Sequence, residues 1–152
     1  MSNSSSNPTP DRPINVTMVL ADHAQVADQK LFIAGGGWTD MNGAAPFALA
    51  MVIEVPIEQT GMEHTFVIDL IDPQGQPALT PTPQGMMPVH NEMTMQLERP
   101  EDTSATSSFV NPFVIKFGPM QVAPANYEWR LQVDGEAREN WRLPFRVHAA
   151  QQ

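Results

Sequence analysis

Apolar residues recur at every second position in segment after segment, which is the period of a half-buried strand and not of a helix. The pattern is clearest in residues 47–55, where Leu49, Met51 and Ile53 form the inward set. The same alternation predicts eight strands, at residues 14–20, 31–38, 47–55, 65–70, 93–97, 113–117, 127–133 and 141–147. Strands of this kind have one face in water, so they form antiparallel sheets that stack to bury the other face. We therefore predict an all-β antiparallel sandwich, immunoglobulin-like or related, with about eight strands.

Few windows of the chain favour a helix. Fifteen prolines are spread over the 152 residues, and a proline inside a helix removes a hydrogen bond and clashes with the preceding turn. Residues 22–29 are the one window that favours a short helix, as a connection between two strands. This excludes helical α/β folds.

Local motifs refine the predicted sandwich. Asp72-Pro73-Gln74-Gly75 is typical of a turn with proline in second place, and Asp134-Gly135 is typical of a tight hairpin. Pro144 cannot donate to a strand ladder, which predicts an edge strand or a solvent-facing position. Tyr127, preceded by Pro124-Ala125-Asn126, resembles the corner tyrosine of immunoglobulin-like sandwiches, although the cysteines of that family are missing.

The composition divides the chain into a core and looser segments. Residues 1–13 are rich in Ser, Asn and Pro, and we expect a disordered N-terminal arm there. Residues 14–148 form one sandwich domain, and residues 149–152 form a C-terminal tail. Residues 76–91, with four prolines, and the acidic and Ser/Thr-rich residues 98–108 are predicted to be long loops.

Cations are scarce in this chain. Lys+Arg is 8 against Asp+Glu 17, for a formal charge of −9, and the only lysines are Lys30 and Lys116. Nucleic-acid binding and anionic membrane surfaces both need clustered cations, so neither is an expected partner. No stretch approaches the roughly 18 apolar residues of a membrane helix, so we expect a soluble protein.

The chain contains no cysteine. A disulfide framework, a thiolate metal site and a cysteine nucleophile are therefore excluded. The start of the chain also lacks the basic and apolar regions of a signal peptide, and we predict a cytoplasmic location.

Gly35-Gly36-Gly37-Trp38 is the most distinctive local motif. A phosphate-binding loop would continue into a helix or into Gly-Lys-Ser/Thr, but here the chain continues with Thr39 and Asp40. Glycines at a strand end more often mark a bulge or a close approach of another segment. We predict that role for them, with Trp38 as a packing anchor.

No catalytic or metal-binding constellation is recognisable in the sequence. The four histidines, His23, His64, His90 and His148, lie in separate segments without the close spacing of metal ligands. No nucleophile elbow and no paired carboxylates of a glycosidase can be identified. We predict no cofactor and no metal, and we favour a non-catalytic role over an enzyme.

Met86, Met87 and Pro88 lie in the proline-rich 76–91 segment. Thioethers adapt to partners of varied shape, so exposed methionines are suited to protein contacts. These three residues are the predicted partner contact.

Several segments resemble a group of small bacterial proteins catalogued only as a domain of unknown function. The likeness rests on residues 19–22 and 30–38, on Tyr127, Trp129 and residues 133–135, and on residues 145–147. It implies a β-rich protein of similar length in a bacterial or phage setting. It implies no activity, cofactor or site residue.

Two functional hypotheses follow. The first is a non-catalytic protein-binding or assembly module, for instance a subunit of a larger particle, that binds another protein or a second copy of itself through an edge strand or residues 76–91. The second is a small-ligand binder or enzyme with a site between the sheets or in the loops near Trp38 and Asp40.

Overall fold

The computed structural model describes residues 13–97 and 108–149. They form eleven strands and one short 3-10 helix, Ile57–Gln59. The strands are β1 (Asn15–Ala27), β2 (Lys30–Gly36), β3 (Asp40–Asn42), β4 (Phe47–Pro56), β5 (Glu63–Ile71), β6 (Leu79–Thr82), β7 (Gly85–Pro88), β8 (His90–Gln96), β9 (Ser108–Phe117), β10 (Ala125–Val133) and β11 (Glu136–His148). The predicted 1–13 arm, 98–108 loop and 149–152 tail fall almost entirely outside the described residues.

The strands form two stacked sheets and a separate hairpin. Sheet 1 has the order β2-β1-β4-β9, sheet 2 has the order β3-β11-β10-β5-β8, and β6 pairs only with β7. Every pairing is antiparallel except the short one between β3 and β11. The predicted antiparallel sandwich is confirmed, with eleven strands in place of about eight because three short strands carry no clear alternation.

The strand order is that of an immunoglobulin-like sandwich. Without β2, β3 and the β6–β7 hairpin, seven strands remain, of which the first, second and fifth share one sheet and the third, fourth, sixth and seventh share the other. Only the fourth, β8, departs from the constant-type arrangement, in which the fourth strand joins the first sheet. Tyr127 lies near the start of the sixth of these strands, β10, and its hydroxyl donates to the Ala123 carbonyl at 2.5 Å. This is the tyrosine corner that the sequence around Tyr127 predicted.

The inward set of each strand meets between the two sheets. Leu49, Met51 and Ile53 are fully buried, as the alternation of residues 47–55 predicted. At the end of the core formed by the start of β4 and the end of β9, Phe47 stacks on Phe117 at 4.9 Å between ring centroids. The predicted hairpin is also present, because Asp134 and Gly135 both have positive φ and join β10 to β11.

The prediction of a short helix at residues 22–29 is wrong. Residues 22–27 continue β1 beyond the sandwich, and the chain then turns back as β2, with Ala27 paired to Lys30. We call residues 21–36 the β1–β2 arm. The window favoured a helix on local composition, but pairing with β2 satisfies its backbone groups as a strand.

The outer face of sheet 1 is partly buried and largely apolar, where the alternation predicted a wet face. Ala48 and Ala50 point outward from β4 and are nevertheless buried, in a second cluster with Ala21 and Ala24. Leu31 of β2 packs on the same cluster, so the arm folds back over the upper end of this face. Alanine at both outward positions leaves the room that this close approach requires.

Pro144 lies opposite Glu128 of β10, and the other side of β11 is paired only at residues 146–148, by β3. The expectation of an edge strand is therefore wrong, because β3 forms the edge of this sheet, but β3 does not reach Pro144, which is exposed. No helix in the described part of the chain is long and apolar enough to cross a membrane.

Candidate functional site

The 76–91 segment is not the long loop that its prolines predicted. It contains the β6–β7 hairpin, in which Leu79 pairs with Pro88 and Pro81 pairs with Met86. The Thr82 hydroxyl donates to the Gly85 carbonyl at 2.7 Å and accepts from the Gln84 amide at 3.1 Å. Proline is tolerated here because each strand of the hairpin is an edge strand that needs donors on only one side.

The base of this hairpin is anchored in the sandwich. Ala78 and Val89 flank the two strands and are both buried. The Ala78 amide donates to the Leu70 carbonyl at 2.8 Å, and the Leu70 amide donates to the Val89 carbonyl at 3.1 Å. A two-stranded ribbon alone is marginally stable in water, and these contacts with β5 hold it in place.

The turn before the hairpin is held by Asp72. Its side-chain Oδ1 accepts hydrogen bonds from the backbone amides of Gln74 at 2.9 Å and Gln76 at 2.8 Å. Its backbone carbonyl accepts a hydrogen bond from the Gly75 backbone amide at 3.0 Å. The turn predicted at Asp72-Pro73-Gln74-Gly75 is therefore confirmed.

Successive residues of a strand point to opposite faces, which separates the two methionines. Met86 and Pro88 share a face with Leu79 and Pro81, and this face forms one wall of a groove of about 570 Å³. Met87 lies opposite Thr80 on the other face of the hairpin. Met86 is 57% exposed and Met87 44% exposed. The structure thus places two of the three predicted contact residues in the groove and one outside it.

The opposite wall of the groove comes from the segment before β10. Gln121, Ala123 and Tyr127 line it, and Asp72 lies at one end. Burial raises the pKa of the Tyr127 phenol above its ordinary value, and the negative charge of Asp72 adds to this. The phenol therefore stays protonated at neutral pH and donates to the Ala123 carbonyl, which holds this wall in a fixed shape.

The exposed apolar side chains of the protein are concentrated and not scattered. In the described residues, eight large apolar side chains are exposed, and seven of them lie in two regions of the structure. Leu79, Met86 and Met87 lie on the hairpin, and Val26, Phe32, Ile33 and Val110 lie on the arm or on sheet 1. Concentrated exposed apolar surface is typical of contacts with other molecules.

Three of the histidines contact an aspartate that is distant in sequence. His64, which is buried, has Nδ1 2.7 Å from the Asp134 carboxylate and Nε2 2.8 Å from the Gln59 carbonyl. His90 contacts Asp69 and His148 contacts Asp40. The described residues contain no group of three or more His, Cys, Asp or Glu side chains that could hold a metal ion.

The His64 contact lowers the pKa of Asp134, together with the Thr65 amide, which donates to the other carboxylate oxygen at 2.8 Å. These bonds outweigh the desolvation of the carboxyl group, which acts in the opposite direction. The pair joins the β10–β11 turn to the start of β5, which is a structural role. Spacing in the sequence could not reveal this pair, because it is formed across 70 residues.

The loops near Trp38 and Asp40 enclose a smaller cleft of about 250 Å³. Trp38 itself packs on the core, with its ring edge against Phe47 at 6.0 Å. Gly35 has a positive φ, and a Cβ there would collide with the Asp22 carboxylate. The glycines thus permit the close approach that the sequence predicted, while a ligand at this end stays a prediction.

Comparison with known proteins yields a family and no activity. The model of DUF6941, described as a family of unknown function, matches residues 16–148. This range covers both walls of the groove and confirms the likeness to a group catalogued only as a domain of unknown function. No curated protein matches the chain.

Proposed function

We propose that this chain, which belongs to the family of unknown function DUF6941, is a non-catalytic protein-binding module. The observation that carries the proposal is the groove of about 570 Å³ beside the β6–β7 hairpin, with Met86 on its apolar wall. The hairpin is anchored at its base, yet Leu79 and Met86 remain largely exposed. A held and exposed apolar wall is a surface suited to binding a partner.

The shape and charge of the groove favour one kind of partner, an extended protein segment with apolar side chains beside basic ones. Met86, Pro81 and Pro88 offer an adaptable apolar wall. Asp72 stands at one end of the groove, and the whole chain carries a formal charge of −9. Complementary charge raises the association rate and suppresses wrong partners.

Adjacent methionines provide a matched pair of variants to test this. Met86→Asp places a carboxylate on the groove face, whereas Met87→Asp places the same carboxylate on the other face of the same hairpin. Burying a methionine side chain contributes about 1.5–3 kcal/mol, so Met86→Asp is expected to weaken binding by about 10- to 100-fold. Met87→Asp is expected to leave affinity within about threefold.

The partner is first captured in the native host by a photo-crosslinking amino acid at position 86, with position 87 as the control. The crosslinked segment is then made as a peptide and titrated against wild type and both variants by calorimetry. Equal affinities of the two aspartate variants, or a crosslinked segment without apolar and basic residues, contradict the proposal.

We place this module in the cytoplasm of a bacterial cell, since the cysteine-free composition suits a reducing compartment. A subunit of a larger particle is one form of the same function. Fractionation of the native host with an antibody against the chain tests the location, and recovery in the membrane or external fraction contradicts it.

A further inference from the structure

A second surface, separate from the groove, covers the outer face of sheet 1. The outward positions of β1, β4 and β9 can be read from their register, because directly paired residues share a face. Nine of these positions are apolar, namely Val19, Ala21, Ala48, Ala50, Val52, Pro56, Val110, Pro112 and Val114, and five are polar, namely Asn15, Thr17, Glu54, Ser108 and Lys116. In an antiparallel sandwich with a wet outer face these positions would be polar.

This face has a raised half and an open half. The β1–β2 arm covers the half that holds Ala48 and Ala50, through contacts of Ala24 and Leu31. The other half, with Val52 and Val110, is left uncovered by the arm, and Val110 is 63% exposed. The surface is therefore a step, raised by the thickness of the arm at one end.

The outer side of the arm presents Phe32 next to the polar residues His23 and Gln25. Ile33 pairs with Ala24, which faces the buried alanine cluster, so the neighbouring residue Phe32 points away from sheet 1. Phe32 is 50% exposed. Each copy of the chain thus carries an exposed aromatic ring on its raised half and an exposed valine on its open half.

The charges on this face are complementary under a two-fold axis. Glu54 lies at the open end opposite Val110, and Lys116 lies at the raised end opposite Ala48. Within the described part of the chain, no oppositely charged side chain lies within ion-pair distance of either. The Ser108 hydroxyl donates to the Glu54 carboxylate at 3.1 Å. Lys116 is one of only two lysines, and the other, Lys30, lies in the raised arm.

We propose that two copies of this chain associate through the outer face of sheet 1, with their strands antiparallel across a two-fold axis. The raised half of each copy then lies on the open half of the other. Phe32 of one copy packs on Val110 of the second, and Lys116 of one faces Glu54 of the second. A two-fold interface must be self-complementary. The raised and open halves of the face meet this condition in shape, and Lys116 and Glu54 meet it in charge, without any contribution from the groove.

Charge reversal provides the decisive test, because it can be undone. Lys116→Glu and Glu54→Lys each place like charges together, and each is expected to raise the dimer Kd by about tenfold. The double variant restores opposite charges and is expected to return the Kd to within about threefold of wild type. Both positions are on the outer face, and circular dichroism checks that each variant is folded.

The absence of cysteine in the chain allows a second test of the geometry. Phe32→Cys and Val110→Cys are made separately, mixed in equal amounts and oxidised. A disulfide between the two different variants is expected in preference to either homodimer. Met86→Asp serves as the control, because it alters the groove and should leave the dimer intact, so the failure of one proposal is distinguishable from that of the other.

Dimer formation is measured by light scattering after size exclusion. A monomeric wild type at about 100 µM overturns the proposal. So does a double charge variant that is no tighter than the single ones, or a preference for disulfides between identical positions.

Discussion

Ala50→Leu tests the contact that changes a plain strand into one that is buried on both faces. Ala50 is 1% exposed although it points outward from β4, because the β1–β2 arm lies over it. Leucine replaces a methyl group with an isobutyl group in a space that is already filled. Either the arm must lift from sheet 1 or the sheet must distort, and both lose apolar contacts.

The size of the effect follows from the packing. Overfilling a well-packed site costs about 1–3 kcal/mol, and we expect about 2 kcal/mol at Ala50 because Ala24 and Ala48 pack in the same small cluster. For a chain of this length, 2 kcal/mol lowers the Tm by about 4–8 °C. The loss should appear as an earlier urea midpoint followed by tryptophan fluorescence, since Trp129 and Trp141 are both in the core.

Val52→Leu is the matched control. Val52 shares the outer face of β4 with Ala50, but it lies in the open half and is only partly buried. We expect a change of less than about 0.5 kcal/mol there. If Ala50→Leu and Val52→Leu have equal stabilities, the arm does not rest on the alanine cluster and the reasoning about a raised half is refuted.

Three further predictions concern the tyrosine corner, the His64 pair and Gly35 at the end of β2. Tyr127→Phe removes the hydrogen bond to the Ala123 carbonyl and should lower the free energy of unfolding by about 1 kcal/mol. Because the pKa of Tyr127 is raised, its neutral form favours folding, so wild type should lose this advantage as the pH rises above about 10. Equal pH profiles of wild type and variant in urea unfolding contradict this prediction. Asp134→Asn weakens the contact with His64 and should cost about 1 kcal/mol at neutral pH. Since the pKa of Asp134 is lowered, the wild-type advantage is present above about pH 4 and decreases as the pH falls through the lowered value, and an advantage that does not change with pH would disprove this. Gly35→Ala forces a left-handed residue and a clash, for an expected loss of about 1–3 kcal/mol, and a stability equal to wild type by thermal melting would show that the turn tolerates a side chain.

The two proposed binding surfaces lie on different sheets of the sandwich. The groove lies beside the β6–β7 hairpin at the end of β5, while the self-association face lies on the outside of the other sheet. A dimer formed through sheet 1 leaves both grooves unoccupied by the interface. If both proposals hold, a dimer with two grooves is expected to bind a partner that carries two target segments with higher avidity than a monomer does.

The sequence by itself determined the class of fold, because strand alternation and turn chemistry are local properties. Leu49, Met51 and Ile53 could be assigned to the core from spacing alone, and Asp134-Gly135 could be assigned to a hairpin from the backbone angles these residues tolerate. The corner bond of Tyr127 was also predictable, since its donor and acceptor lie four residues apart.

Only the tertiary structure decided what covers each face and which distant groups meet. Alternation shows that one side of β4 is apolar, but the burial of Ala50 on the other side depends on the β1–β2 arm, which folds back over sheet 1. Met86 and Met87 are equivalent as a sequence pair, and strand pairing alone sends them to opposite faces of the hairpin. The contact between His64 and Asp134 joins two segments that are remote in sequence. The physical reason is the same in each case, because burial and pairing between remote segments depend on how the strands pack and cannot be read from local composition.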